Sequence, residues 1–258
     1  MNRIDKLFAT KPRGVLSVYF TAGYPGPDDT VPTIRALAAA GVDMLEVGIP
    51  FSDPMADGPV IQHSGTVALE GGMTLRKLFA QLEGVRAAGI EIPLVAMGYL
   101  NPVMQYGIEE FCASCAAVGI DGVIIPDLPF ADYLRDVRPA IERHGLHFIT
   151  LITPETSEER IRLIDASTSG FIYMVSTAST TGARDSFDER TMDYFRRVDG
   201  MGLRNPRMIG FGISNRGTFE AATHHASGAI IGSAFIRLVG ESATVEEAAA
   251  RLIEKVSG

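Results

Sequence analysis

Cysteine is scarce in this chain of 258 residues, which contains only Cys112 and Cys115. Their C-x-x-C spacing occurs in redox and zinc sites, but a redox pair usually follows a strand at the start of a helix. Here the pair lies inside a predicted helical run, residues 108–117, behind two glutamates. A zinc site would need two further ligands, and no Cys or His pair lies nearby. We therefore predict that both thiols pack within a helix, and we predict no metal site.

A basic surface is also missing, because 23 Lys and Arg are outnumbered by 31 Asp and Glu, for a net charge of −8. This balance argues against nucleic acids and anionic membranes as partners. No apolar run approaches the roughly 20 residues of a membrane span. Residues 1–8 carry alternating charges without the apolar core of a signal peptide. We therefore predict a cytoplasmic protein in which local amides hold any anionic ligand.

No linker divides the chain, so we predict one domain over residues 1–258. Short apolar segments alternate with helical patterns, and near-continuous runs of Val, Ile and Leu are typical of parallel strands buried on both faces. The predicted strands cover residues 14–21, 42–49, 92–97, 122–125, 147–152, 171–176, 207–211 and 229–231. Eight such units predict an α/β fold, a (β/α)8 TIM barrel with short extra helices. The competing open doubly wound sheet would favour a G-x-G-x-x-G at its first turn, which is absent.

Local signals between the strands predict particular helices and turns. Thr74 has the residue type of a helix N-cap, and the apolar periodicity after it predicts a helix that continues to Ala88. The Asn101-Pro102 pair is predicted to form a turn that leads into the cysteine-bearing helix.

The segment that carries most chemical information is LEVGIPFSDPMADGP, residues 45–59. It sets Glu46 in an otherwise apolar strand, where a carboxylate is costly to bury unless it is paired or used. A stiff loop with Asp53 and Asp57 follows at once. Taken singly, Glu46 could lie at a wet edge or pair with an arginine, and each aspartate could serve an ordinary turn. Their combination after one barrel strand indicates a catalytic site, because such strand ends form the mouth of the barrel.

Other strand ends should reach the same mouth. Tyr99 follows the third predicted strand, Asp127 the fourth, and residues 180–182 the sixth. Two late glycine segments, residues 210–214 and 232–234, each put glycine at a strand end and a small or hydroxyl residue at a predicted helix start. Such segments offer backbone N–H groups and a positive helix end to an anion. Either segment alone could be a plain turn, but the pair predicts a phosphorylated small metabolite as ligand.

The motifs together resemble those of the tryptophan synthase α subunit family. The long segment at 45–59, followed by VIQ, is similar to that family's signature, and further matches run through the chain. These are FTAGYPG at 20–26, GYLNP at 98–102, TTGA at 180–183, GFGIS at 210–214 and GSAF at 232–235. The resemblance implies a lyase that cleaves indole-3-glycerol phosphate into indole and glyceraldehyde 3-phosphate in tryptophan biosynthesis. It also implies no cofactor on this chain and a β subunit that carries pyridoxal phosphate, in an αββα heterotetramer.

The resemblance assigns roles residue by residue. Glu46 and Asp57 take the two catalytic positions, and Thr181 takes that of a loop threonine that closes over the site. The remaining assignments are Tyr19, Tyr99, Asp127 and Tyr173 for substrate binding, and Gly182, Phe211, Gly212, Gly232 and Ser233 for phosphate binding. The family often has an arginine before the Thr-Gly pair, whereas residues 176–182 read STASTTG without it. Contacts that depend on that arginine are therefore not carried over.

The chemistry of the reaction agrees with this division of roles. A proton must reach the indole carbon and another must leave the neighbouring hydroxyl, which one carboxyl can do if burial raises its pKa towards neutrality. The apolar surroundings of Glu46 predict that shift. Asp57, on a more polar loop, is predicted to stay ionised beside the indole N–H. The segment 177–186 has no apolar residue larger than alanine, which predicts that it orders only around a ligand.

Three other interpretations remain open from the sequence. The chain could be a lyase that acts without a β subunit, or a non-catalytic subunit that only activates a partner enzyme. It could also be another phosphate-binding barrel, such as a sugar-phosphate isomerase. That last class shares the late glycines but not the segment at 45–59.

Overall fold

A computed structural model describes residues 1–176 and 186–257 of the chain. In this part of the protein nine parallel strands form one sheet. The strands are β1 (Val15–Thr21), β2 (Met44–Gly48), β3 (Leu94–Met97), β4 (Gly122–Ile124), β5 (His147–Phe148), β6 (Thr150–Ile152), β7 (Ile172–Val175), β8 (Arg207–Gly210) and β9 (Gly228–Ile231).

The strand order closes the sheet into a barrel. Hydrogen-bonded neighbours run β5-β4-β3-β2-β1-β9-β8-β7-β6, so the two ends of the sheet are β5 and β6. These two strands are separated only by Ile149, and they are the two halves of the single segment predicted at 147–152. Its first half pairs with β4 and its second half with β7. The predicted (β/α)8 barrel is therefore confirmed, with the fifth strand broken in two.

Helices follow the strands and pack around them. They are α1 (Arg3–Thr10), α2 (Thr30–Ala39), α3 (Pro59–Glu70), α4 (Leu75–Leu82), α5 (Leu100–Tyr106), α6 (Ile108–Ala117), α7 (Phe130–Asp132), α8 (Arg138–Arg143), α9 (Glu158–Ser167), α10 (Glu189–Asp199), α11 (Arg216–His225), α12 (Ser233–Glu241) and α13 (Val245–Ser257). A π-helical turn, Tyr133–Val137, joins α7 to α8. None of the helices within the described ranges has the length and apolar character of a membrane span.

Two of the local predictions were wrong in extent or type. The Thr74 side chain does cap α4, accepting from the Lys77 N–H at 3.1 Å, but the helix ends at Leu82 rather than 88. Gly84 adopts a φ of +81°, a conformation that α-helices exclude. The predicted turn at residues 101–102 is instead the first turn of α5, where proline is tolerated because its missing N–H would have no helical partner.

Alternation along the strands separates two apolar layers. In β1, Leu16, Val18 and Phe20 face the helices, whereas Val15 faces the barrel interior. The interior is closed at its lower end by α1, whose Ile4 and Phe8 join the same inner cluster. This plug leaves the carboxyl ends of the strands as the open end of the barrel.

Cys112 and Cys115 lie on α6 and are buried in the outer layer between helices and sheet. Burial raises the pKa of the Cys112 thiol to about 11, so it stays protonated at neutral pH. Their predicted role as packing residues is confirmed. Within residues 1–176 and 186–257, no group of three or more His, Cys, Asp or Glu side chains is arranged to hold a metal ion.

Candidate active site

A cavity opens at the carboxyl ends of the strands. Its walls come from β1, β2, β7 and β9, from the end of β3, and from the segments that follow β2, β8 and β9. The lining residues are Tyr19, Glu46, Asp57, Ile61, Met97, Tyr173, Phe211, Gly212, Ile213, Ile230, Gly232 and Ser233. The fold thus gathers at one place side chains that are far apart in the sequence.

Of the described residues in the cavity wall, Glu46 is the only carboxylate that comes from a strand. It alternates in β2 with Met44, which belongs to the inner cluster, so its side chain also points into the barrel. Its accessible surface is 0%, and neither carboxylate oxygen has a hydrogen-bond partner within the described residues. Burial raises the pKa of Glu46 to about 8. A buried acid of this kind can both give and take a proton near neutral pH.

Asp57 approaches the cavity from the loop between β2 and α3. The Tyr99 hydroxyl donates to its Oδ2 at 3.1 Å, and the Gln62 side chain donates to its main-chain oxygen at 2.7 Å. Burial raises the pKa of Asp57, and the Tyr99 hydrogen bond opposes that rise. The sequence analysis expected a polar loop that leaves Asp57 unshifted. The structure instead buries this carboxylate in part and supplies one donor that favours its charge.

Two tyrosines cross the interior where the adjacent strand has a glycine. A Cβ atom added at Gly48 would collide with the Tyr19 hydroxyl, and one added at Gly210 would collide with that of Tyr173. Each glycine therefore makes room for the phenol of a tyrosine that lines the cavity. Burial raises the pKa of both phenols well above the ordinary value, so both are neutral hydrogen-bond donors.

The segment after β8 lines the same cavity and has an unusual backbone. Phe211 and Gly212 have φ values of +69° and +79°. For phenylalanine this left-handed conformation costs roughly 1–2 kcal/mol. It is held by the Ser176 hydroxyl, which donates to the Phe211 carbonyl at 2.6 Å, and by the Tyr173 ring, 6.0 Å from that of Phe211. Strain of this kind is often concentrated at ligand sites.

The two glycine segments differ in a way that the sequence analysis did not predict. Residues 210–214 do not begin a helix, because α11 starts only at Arg216 and its first turn is already satisfied by a capping box of Asn215 and Thr218. Gly232 does precede a helix, and no side chain caps the first turn of α12. Gly232 and Ser233 therefore bring the uncapped, positive end of a helix to the cavity wall, as an anion site requires.

Several predicted site residues do not line the cavity. Tyr99 lies behind Asp57, and the exposed Asp127 accepts a hydrogen bond from the Leu100 N–H at 2.8 Å, at the start of α5. Asp53 is exposed at the surface of its loop. Thr181 and Gly182 lie outside the described residues. The prediction about segment 177–186 also falls outside them, because only Ser186 of that segment is described. The roles assigned to Tyr99, Asp127, Thr181 and Gly182 stay predictions.

The sequence analysis also missed the apolar part of the wall, which consists of Ile61, Met97, Ile213 and Ile230. Ile61 lies in the first turns of α3, a helix that was not predicted although Gly58 and Pro59 are suited to a helix start. Met97 ends β3, Ile213 follows β8 and Ile230 lies in β9, and their apolar character does not distinguish them from core residues. Only the tertiary structure shows that they line the same cavity as Glu46 and Asp57.

Comparisons with known proteins agree with this geometry. The family model of the tryptophan synthase alpha chain matches residues 7–258. A curated tryptophan synthase alpha chain from Parabacteroides distasonis is 61% identical over 254 residues, which is 98% of each chain. The crystal structure of tryptophan synthase subunit alpha from Legionella pneumophila str. Paris superposes with a TM-score of 0.89 at 34% identity, covering 99% of this chain and 97% of that one. A tryptophan synthase complex from Pyrococcus furiosus gives a TM-score of 0.84 at 32% identity, covering 95% and 98%.

Proposed function

The chain belongs to the tryptophan synthase alpha chain family, and from this premise we infer that it cleaves indole-3-glycerol phosphate into indole and glyceraldehyde 3-phosphate. It is a carbon–carbon lyase of tryptophan biosynthesis. The assignment of the proton transfers to Glu46 rests on one observation. Glu46 is fully buried in the cavity wall and lacks a hydrogen-bond partner within the described residues, and its pKa is raised to about 8.

Glu46 acts as both acid and base in the proposed mechanism. Its carboxyl group begins protonated and delivers the proton to indole carbon 3. The bond from that carbon to the glycerol side chain then breaks, and its electron pair returns to the indole ring. The resulting carboxylate takes the proton from the adjacent side-chain hydroxyl, which becomes the aldehyde of glyceraldehyde 3-phosphate. Proton transfer by one positioned group typically contributes about 10²- to 10⁴-fold to the rate.

Asp57 stabilises the charge that this protonation creates. When carbon 3 gains a proton, positive charge develops at the ring nitrogen, and an ionised carboxylate near its N–H lowers the energy of the transition state. Asp57 lies in the same cavity as Glu46 but retains a donor that favours its charged form. The division between one protonated and one ionised carboxyl is the arrangement that two-carboxylate sites commonly use.

The segments after β8 and β9 bind the phosphate in this proposal. Backbone N–H groups of Gly212 and Ser233, with Gly232 before α12 and Phe211 beside it, offer donors and a positive helix end to a dianion. Gly182 is assigned to the same phosphate by family resemblance. The apolar part of the cavity, whose lining also includes Tyr19 and Tyr173, then receives the indole ring.

We propose that the chain works without a cofactor, because the cleavage needs only proton transfers. Its proposed partner is the β subunit, which carries pyridoxal phosphate, in an αββα heterotetramer. Two exposed methionines near the mouth support this proposal, because they offer apolar surface to a partner. Met55 on the Asp57 loop has an exposed fraction of 87%, and Met104 on α5 one of 60%. We further propose one domain over residues 1–258 and a cytoplasmic location, which suit an enzyme that shares indole with a second subunit.

The test is indole release from indole-3-glycerol phosphate by Glu46→Gln. Glutamine keeps the shape of the side chain but cannot shuttle a proton, so turnover should fall by at least about 10²-fold. Glu70→Gln, an exposed change at the end of α3, is the matched control and should keep full activity. A folded Glu46→Gln protein that retains most of its activity would contradict the assignment.

A further inference from the structure

Tyr99 is held rigidly at the end of β3, immediately before α5. It is the N-cap residue of α5, and that helix is fixed in turn by the Asp127 carboxylate, which accepts from the Leu100 N–H. The Tyr99 ring is only 6% exposed and packs against Phe51, with ring centroids 5.3 Å apart. The ring therefore has little freedom to move.

The Tyr99 hydroxyl bonds two consecutive residues of the catalytic loop. It accepts from the Ala56 backbone N–H at 3.1 Å and lies 3.1 Å from Oδ2 of Asp57. A carboxylate can only accept, and the phenol has one proton, so that proton points at Asp57. One oxygen atom thus fixes both the path of the loop and the direction of the carboxylate.

We propose that Tyr99 is a positioning residue, whose hydroxyl holds the Asp57 carboxylate ionised and aimed at the indole nitrogen. The inference rests on the proposed function, in which Asp57 stabilises the positive charge on the ring. It assigns Tyr99 a role different from substrate binding, since its side chain stands behind Asp57 and not in the cavity wall.

Among the described residues that face Asp57, Tyr99 is the one that favours the ionised form of its carboxylate. The groups around Asp57 are Glu46 on β2, Tyr19 on β1, Tyr173 on β7 and Tyr99 itself. None of them is a cation. Burial raises the pKa of Asp57, and the Tyr99 hydrogen bond lowers it. Loss of the hydroxyl should therefore raise the pKa of Asp57 further and leave less of it ionised at a given pH.

Tyr99→Phe removes the hydroxyl and keeps the ring, and Tyr106→Phe is its matched control. Tyr106 lies on the same helix and its hydroxyl bonds Ser114 at 3.1 Å, away from the cavity. The experiment measures kcat and KM for indole release across the pH range. Tyr99→Phe should lower kcat about tenfold, leave KM nearly unchanged and move the acid limb of the kcat profile to higher pH. Tyr106→Phe should leave all three unchanged.

The same substitutions in an Asp57→Asn background separate this inference from the proposed function. If Tyr99 acts through Asp57, Tyr99→Phe should have little further effect once the carboxylate is gone. An unmoved acid limb, an effect confined to KM, or an equal loss in both backgrounds would overturn the positioning role. Full activity of Asp57→Asn alone would instead refute the assignment of Asp57 on which the inference rests.

Discussion

Glu46→Gln should change the way in which the stability of this protein depends on pH. Glu46 is buried without a hydrogen-bond partner among the described residues, and burial raises its pKa from 4.5 to about 8. Between these two values the folded protein holds a proton that the unfolded chain has already lost. The unfolded state is therefore favoured progressively as the pH rises through this interval. Stability from this source is fully present below pH 4.5 and lost by about pH 8.

The magnitude follows from the width of that interval. Each pH unit is worth about 1.4 kcal/mol, so the free energy of unfolding should fall by up to about 5 kcal/mol between its two ends. That is a large share of the roughly 5–15 kcal/mol that stabilises a typical domain. Glutamine cannot ionise, so the Glu46→Gln protein lacks this fall. It should be the more stable protein at alkaline pH although it has lost its catalytic proton.

The assay is urea unfolding followed by circular dichroism at a series of pH values. Wild type, Glu46→Gln and the exposed control Glu70→Gln are compared, because all other titrating groups are shared and cancel in the differences. The stability of Glu46→Gln relative to wild type should grow with pH and level off above about pH 8, whereas the control should run parallel to wild type. A constant difference would refute the reasoning, since it would mean that folding does not raise the pKa of Glu46.

Three further predictions concern the phosphate site, the partner and the loop after β7. Gly232→Leu should raise KM at least about tenfold with little loss of thermal stability, because a Cβ there would meet Tyr19 at an ordinary 3.5 Å; unchanged KM would argue against the phosphate site. Pro54→Ala should loosen the catalytic loop and reduce the stimulation of indole release by an added β subunit, and equal stimulation of both proteins would contradict this. Thr181→Val should lower kcat about 10- to 10²-fold if its hydroxyl bonds Asp57 in the ligand-bound site, as we propose, and simple multiplication of its loss with that of Asp57→Asn would show that the two residues act independently.

The location of the site could be predicted from the sequence because local pattern and topology both act on it. Eight alternating strand and helix units favour a barrel over an open sheet, and a barrel brings every strand end to one mouth. Glu46 was recognisable because a carboxylate in an apolar strand contradicts the pattern around it. The family resemblance, confirmed by the match over residues 7–258, named the reaction and supplied the roles.

The tertiary structure decided what each side chain faces. Whether Glu46 has a partner depends on the strands on either side of it, which come from distant parts of the chain. The same holds for Tyr99, whose bond to Asp57 spans 42 residues, and for the glycines that admit the tyrosine hydroxyls. The segment at 210–214 looked like a helix start because glycine before small residues is typical of one, but the capping box at Asn215 begins the helix later. The pKa of a side chain and its hydrogen bonds depend on the residues that surround it in space. The sequence shows only which residues are adjacent along the chain.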